Sequence, residues 1–183
     1  MYSVEVVRPG EPAAQEIITA YLIEVASRYH GRPATPEEIE QALRDEPFED
    51  LEGDSGRLLV ALTGDGPAAC AGVRFVSAGG DGAGADADGG GGVGGRTVTS
   101  ARLETVGELT KVFTLPAFRS QGLGTLLIAE VGRVCRARGI RTLRLDTRAD
   151  LVEACALYER LGFERVAPFN DEPYSDRWYS LVL

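Results

Sequence analysis

Arg119-Ser120-Gln121-Gly122-Leu123-Gly124 decides the fold, because this R-x-x-G-x-G turn joins a predicted strand to a predicted helix. Apolar and polar residues alternate over 106–115, as in a strand, and apolar residues recur at helical spacing from 126 to about 139. Glycine lets a backbone approach a ligand without a Cβ in the way. The N–H groups of the turn and of the helix start would form an anion site that a pyrophosphate fits, and the alternative is that the turn is only a tight connection.

The strand before the turn is the most informative strand of the chain. Its period-two pattern predicts two distinct faces. One face would carry Leu109, Lys111, Phe113 and Leu115, and the other Glu108, Thr110, Val112 and Thr114.

The same kinds of pattern predict the remaining elements. Strands are expected over 3–8, 58–63, 69–77, 140–147, 163–167 and 177–183, and helices over 13–29, 36–45 and 152–161. Thr35, Pro36 and Glu38 form a capping-box pattern at the start of the second helix. Strands interspersed with helices indicate a mixed α/β domain.

A glycine-rich tract over 79–95 interrupts these patterns. It consists almost wholly of Gly, Ala and Asp and cannot bury enough apolar area to offset its ordering entropy. The strand pattern resumes after it, so we expect one domain over 1–183 with a flexible loop at about 79–96.

Composition is that of a globular protein with an acidic surface. The chain has 183 residues, of which 44% are hydrophobic, and a domain of this length should bury roughly 70% of its unfolded surface. The formal net charge of -9 disfavours nucleic acid and membrane partners, because both are polyanionic. It suits a cationic acceptor.

The three cysteines, Cys70, Cys135 and Cys155, match no CxxC or zinc spacing, so no metal site is expected. The N-terminal residues lack the pattern of a signal peptide, and the longest apolar run, 58–62, is too short to span a bilayer. We therefore expect a reducing, cytoplasmic location.

A second motif follows the turn and an intervening strand. It reads Ala154-Cys-Ala-Leu157-Tyr158-Glu-Arg-Leu161-Gly162-Phe163. In this order the two motifs resemble the GNAT superfamily of acyl-CoA N-acyltransferases, closely over 108–169 and loosely over the whole chain. The resemblance implies a GNAT-like α/β fold whose central mixed sheet is splayed, with the pantetheine arm of acetyl-CoA lying in the gap.

The resemblance also implies which residues bind acetyl-CoA. They are Val112, Phe113 and Thr114 on the strand, Arg119, Ser120, Gln121, Gly122, Leu123, Gly124 and Thr125 in the turn and helix start, and Ala154 and Tyr158 on the later helix. Many relatives carry an asparagine where this chain has Leu151. Asp146, Thr147, Arg148 and Asp150 would supply polar contacts on that side instead.

Two residues are candidates for catalysis. Tyr158 matches the family tyrosine that protonates or hydrogen-bonds the departing thiolate, and the alternative is a core tyrosine. Glu108 is the candidate base for the attacking amine, and the alternative is an exposed strand carboxylate. His30, the only histidine, is expected at a helix end rather than in the mechanism.

The implied function is transfer of an acetyl group from acetyl-CoA to a primary amine, by direct attack in a ternary complex. The acceptor of the acetyl group would be a small molecule or a peptide. The oligomeric state is open between a monomer and a homodimer. The alternative is a non-catalytic acyl-CoA-binding or regulatory module on the same fold.

Two other glycine patterns resemble nucleotide-binding motifs. Residues 90–97 resemble a phosphate-binding P-loop, but arginine replaces its lysine, no strand leads in and a strand pattern follows, so we interpret the match as chance in a glycine-rich tract. Gly122 and Gly124 would also begin a dinucleotide fingerprint, with Leu127 at the third glycine position and Asp146 as the acid.

Overall fold

The computed structural model describes residues 2–78 and 104–183. The strands are β1 Ser3–Val7, β2 Gly56–Thr63, β3 Gly66–Ser77, β4 Thr105–Thr114, β5 Thr142–Thr147, β6 Glu164–Arg165 and β7 Arg177–Val182. The helices are α1 Pro12–His30, α2 Pro36–Asp45, α3 Leu123–Ala137 and α4 Val152–Arg160. The loop expected at 79–96 lies outside the described residues, and the single domain over 1–183 stays a prediction.

All of these strands form one sheet in the order β1-β2-β3-β4-β5-β7-β6. Neighbours are antiparallel except β4 and β5, which run parallel and are joined through α3. The predicted mixed α/β sheet is confirmed.

Two apolar cores lie on opposite faces of the sheet. The first packs α3 and α4 on one face, through residues such as Leu127, Val131 and Tyr158. The second packs α1 and the segment after α2 on the other face, through residues such as Ile17 and Leu51. Each face of the central strands is thereby covered, as in other layered α/β proteins.

The central strands part early. β4 pairs with β5 only at Gly107 with Leu143 and at Glu108 with Arg144. Parallel strands of this length would normally continue their ladder. The predicted splay of the sheet is therefore confirmed, and it begins immediately after Glu108.

A β-bulge in β4 corrects the predicted faces of this strand. Lys111 has a φ of 53°, and the register with β3 shifts by one residue between Cys70 and Gly72. Leu109 packs into the α3 core, whereas Phe113 packs into the α1 core. The expectation that Leu109 and Phe113 share a face is wrong, because one inserted residue reverses the alternation beyond it.

The ends of α1 and α2 agree with the capping and termination signals in the sequence. The capping box at Thr35 is present, with the Glu38 N–H donating to Thr35 Oγ1 at 3.4 Å and the Thr35 N–H donating to Glu38 Oε2 at 2.8 Å. α1 ends at Gly31, whose φ of 67° suits glycine. By contrast, α3 begins at Leu123, three residues before the predicted start at 126.

No helix within 2–78 or 104–183 is long and apolar enough to cross a membrane.

Gly107 allows close packing where the strands part. A Cβ there would lie 2.8 Å from Cys135 Sγ and 3.0 Å from Leu143 Cδ1. We expect Gly107→Ala to lower the free energy of unfolding by roughly 1–3 kcal/mol through overpacking, measured by urea denaturation. Gly10→Ala is the control, because no atom lies within 4 Å of a Cβ there. Equal effects would contradict the packing argument.

Candidate functional site

The turn before α3 presents an open helix N-terminus. Gly122 is the N-cap residue with a φ of 83°, and Ser120 has a φ of 61°. Among the described residues no side chain caps this end, and the first turn holds no acid. The N–H groups of the first turn are therefore available to an anionic group, as the sequence motif predicts.

The two motif glycines have different roles. A Cβ at Gly122 would meet no atom within 4 Å, so Gly122 provides the left-handed backbone. A Cβ at Gly124 would lie 2.8 Å from Leu157 Cδ2 of α4. Gly124 thus allows α3 to approach α4, which differs from the predicted role of admitting a ligand.

Arg119 stabilises the turn through hydrogen bonds to β4 and to α1. Its Nη2 donates to both carboxylate oxygens of Glu24 on α1 at 2.6 Å, and its Nε donates to the Thr114 carbonyl at 3.1 Å. These contacts connect the end of β4, the turn and α1.

Gln121 is held by the residues around it. Its Oε1 accepts a hydrogen bond from the Tyr2 hydroxyl, and its Nε2 donates to the Ala117 carbonyl at 3.2 Å. The side chain of Gln121 is therefore engaged within the loop.

An open cleft of about 860 Å³ lies between α1 and the end of β4. Its walls include Phe113, Leu115 and Arg119 from the β4 side and Ile23, Glu24 and Ser27 from α1. Two residues predicted to bind the cofactor, Phe113 and Arg119, thus border one cleft.

The edge of β4 that faces β5 is available beyond Glu108. Within the described ranges, β5 pairs with β4 only at Gly107 and Glu108. Residues 109–114 therefore have no described strand partner on that side. Val112 packs towards the α3 core, and Phe113 packs towards α1. An extended ligand could pair with such an edge.

Tyr158 is buried on α4 one turn after Ala154. Its ring contacts Phe163 and Tyr179, at centroid distances of 5.7 and 6.1 Å. Burial, the largest cause, raises the pKa of Tyr158 well above its usual value, and nearby acidic groups raise it further. The hydroxyl therefore remains protonated at neutral pH and donates no hydrogen bond to any described residue.

Glu108 lies at the last pair before the strands part. Its Oε2 accepts from Nε and Nη2 of Arg144, each at 3.1 Å, and Arg144 stacks on Phe169 at 4.1 Å. Its Oε1 has no hydrogen-bond partner in the part of the chain that is described. Because Gly107 faces α3, Glu108 faces the opposite side, towards α1 and α2.

Asp146 holds the segment before β7 in place. It accepts from Asn170 Nδ2 at 3.0 Å and from Ser175 Oγ at 2.5 Å, and Trp178 Nε1 donates to Asn170 Oδ1 at 2.7 Å. Asp150 is paired with Arg148. These carboxylates are already engaged, which argues against the predicted replacement of the family asparagine by Asp146 or Asp150.

A group that the sequence interpretation missed surrounds Lys111. Its ammonium lies 3.3 Å from Glu46 Oε2, and the Tyr21 hydroxyl donates to the same oxygen at 2.9 Å. Glu46 and Tyr21 are far from Lys111 in sequence, so no local pattern connects them. The one sequence signal that could have indicated this group is the lysine within the predicted apolar face of β4.

The sequence profile of the Acetyltransferase (GNAT) family matches residues 20–163. The chain belongs to this family. It is 44% identical over 59 residues to the uncharacterized N-acetyltransferase YjgM of Escherichia coli, covering 32% of this chain and 35% of that protein. It is 33% identical over 67 residues to the uncharacterized N-acetyltransferase MJ1207 of Methanocaldococcus jannaschii, covering 37% and 30%. The chain thus matches about a third of the length of each relative.

Solved structures agree on the fold over nearly the whole chain. A GNAT-family acetyltransferase of Staphylococcus aureus superposes with a TM-score of 0.65 at 13% identity, covering 97% of this chain and 98% of that one. An acetyltransferase of Streptococcus agalactiae gives 0.64 at 16% identity, covering 100% and 98%. At these identities the likeness shows the GNAT fold alone.

The raised pKa of Tyr158 can be tested directly. We expect absorbance at 295 nm to follow the same curve in the wild type and in Tyr158→Phe up to about pH 10, the usual phenol value. The reason is that the buried phenol stays neutral where an exposed tyrosine ionises. A smaller tyrosinate signal in the variant at pH 10 would contradict this.

Proposed function

We propose that this GNAT N-acetyltransferase transfers the acetyl group of acetyl-CoA to a primary amine by direct attack in a ternary complex. The observation that carries the proposal is the parting of β4 from β5 after Glu108. This gap has a free strand edge on one side, and the open N-terminus of α3 follows β4 directly in the chain. An extended pantetheine arm with a pyrophosphate at its end suits that combination.

The proposed contacts with acetyl-CoA are made by the edge of β4 and by the N-terminus of α3. The backbone of 112–114 would pair with the amides of the arm, although Arg119 already uses the Thr114 carbonyl. The backbone N–H groups of 121–125 would bind the pyrophosphate, with Arg119 and Ser120 shaping the turn. Ala154, small and one turn before Tyr158, would leave room beside the thioester.

Tyr158 is the proposed general acid. The amine nitrogen bonds to the thioester carbonyl carbon, the carbon–sulfur bond breaks, and the thiolate takes a proton. Tyr158 is supported in this role because burial raises its pKa and its proton is not committed to another described residue.

Glu108 is the proposed base. An amine with a pKa near 10 is mostly an ammonium at neutral pH, so it must lose a proton before attack. Glu108 borders the start of the gap, Arg144 holds its Oε2, and no described residue engages its Oε1. The carboxylate would receive the proton directly or through one water.

The acceptor is proposed to be a cationic small molecule or peptide, supported by the formal net charge of -9. The same charge supports the absence of nucleic acid and membrane partners. Three cysteines without disulfides support a cytoplasmic location. The second candidate function is a non-catalytic acyl-CoA-binding module, and the ion pair that engages Glu108 favours it.

Acetyl-CoA binding tests the proposed site. We expect micromolar binding of acetyl-CoA by calorimetry, and no binding of NADH. Gly122→Ala should weaken acetyl-CoA binding by about tenfold or more, because a residue with a Cβ strains the left-handed turn. No binding by the wild type would refute the acetyl donor.

Gly139→Ala is the matched control for that experiment. Gly139 also has a positive φ, 76°, also has open space around its Cβ position, and lies beyond the other end of α3. The two variants should lose similar stability, but only Gly122→Ala should lose affinity. Equal losses of affinity would argue against an anion site at the turn.

Turnover tests the catalytic assignment. We expect Tyr158→Phe to lower the rate of CoA release with a panel of primary amines by about tenfold or more, with little change in acetyl-CoA affinity. Tyr179→Phe is the control, because it removes a different hydroxyl, one that donates to Glu159 at 2.8 Å. Unchanged turnover in Tyr158→Phe would remove Tyr158 from the mechanism, whereas acetyl-CoA binding without turnover of any amine by the wild type would favour the binding-module alternative.

A further inference from the structure

Lys111 differs from every other basic residue of the chain. It is the single lysine among the 19 lysine and arginine residues. Its side chain is only 2% exposed, although lysine is seldom buried. Among the residues that the structure describes, Lys111 is therefore the one buried basic residue, and it carries a compact ammonium.

Three side chains enclose this ammonium. It lies 3.3 Å from Glu46 Oε2, 4.6 Å from the ring centroid of Phe48 and 6.0 Å from that of Tyr21. Desolvation lowers the pKa of Lys111, and the Glu46 carboxylate opposes that change. We call Glu46, Phe48 and Tyr21 the lysine cage. Its carboxylate and aromatic faces stabilise a cation held away from water.

The residue that the lysine cage holds has a strained backbone. Lys111 has a φ of 53°, a conformation that residues with a Cβ adopt only when their surroundings impose it. Its carbonyl also accepts a hydrogen bond from Cys70 Sγ at 3.4 Å. The side chain and the carbonyl thus anchor the bulge from two directions.

The bulge lies where the gap between strands opens. β4 leaves β5 after Glu108, and the bulge follows three residues later, directly before Val112. A flattened bulge would shift the register of 112–114 by one residue and reverse which side chains face the gap. The conformation of Lys111 therefore decides how this edge meets a ligand.

We propose that Lys111 is a positioning residue for acyl-CoA binding, because its caged ammonium fixes the bulge that orients the free edge of β4. This inference rests on the proposed function, since that edge is the proposed surface for the pantetheine arm. Lys111 acts through the backbone of 112–114 and does not itself touch the reacting atoms.

Lys111→Met tests the proposal, because methionine is unbranched like lysine, is one atom shorter and has a similar backbone penalty at positive φ, but lacks the charge. We expect acetyl-CoA affinity, measured by calorimetry, to fall by about tenfold or more. We also expect faster amide hydrogen exchange over 109–114 in the free protein. Glu46→Gln, which leaves the lysine in place, should change both quantities in the same direction and serves if Lys111→Met does not fold.

Arg138→Met is the matched control. It removes another cation that lies over an aromatic ring, that of Phe75 at 4.3 Å, and that pairs with a carboxylate, Asp54. Arg138 follows α3, on the sheet face opposite the lysine cage, so its loss should leave acetyl-CoA affinity unchanged. A Lys111→Met protein that binds acetyl-CoA as tightly as Arg138→Met does would overturn the proposal.

Acetyl-CoA binding by the wild type tests the proposed function, and hydrogen exchange over 109–114 tests the role of Lys111. If the wild type does not bind acetyl-CoA, the proposed function fails, while the exchange experiment still decides whether the lysine cage fixes the bulge. If the wild type binds but exchange over 109–114 is the same in Lys111→Met, the positioning role of Lys111 is wrong.

Discussion

The two residue pairs that join β4 to β5 are the constraint on which the rest of the site depends. They are formed by Gly107 with Leu143 and by Glu108 with Arg144. At this point Gly107 lets α3 pack closely on the sheet, and the Glu108–Arg144 ion pair ties the strands together on the other face. Beyond it the strands diverge, so the sheet is closed at one end and open at the other.

Local signals predicted most of the fold. The capping box of Thr35 and Glu38, the glycine that ends α1 and the turn before α3 all depend on neighbours within a few residues. The bulge at Lys111 could not be predicted, because alternation continues in the sequence while the backbone inserts one residue. Its partner Glu46 lies 65 residues away, and no period or motif links positions so far apart.

For the candidate site, the motif named candidate residues but did not indicate the structural role of each. Gly122 and Gly124 look alike in an R-x-x-G-x-G string, yet one provides a positive φ and the other makes room for Leu157. Asp146 looked available for a ligand, but its oxygens hold the segment before β7. Such duties depend on which side chains the fold brings together, which a motif does not contain.

The burial of Lys111 has a consequence for the chemical resistance of the protein. Thioesters acylate exposed amines slowly even without catalysis, and a protein that holds one is exposed to this damage more than most. Because the single lysine is enclosed and all other basic side chains are arginine, the surface carries its positive charge on groups that thioesters do not acylate readily. The one lysine of this sequence is thereby withdrawn from thioesters in solution.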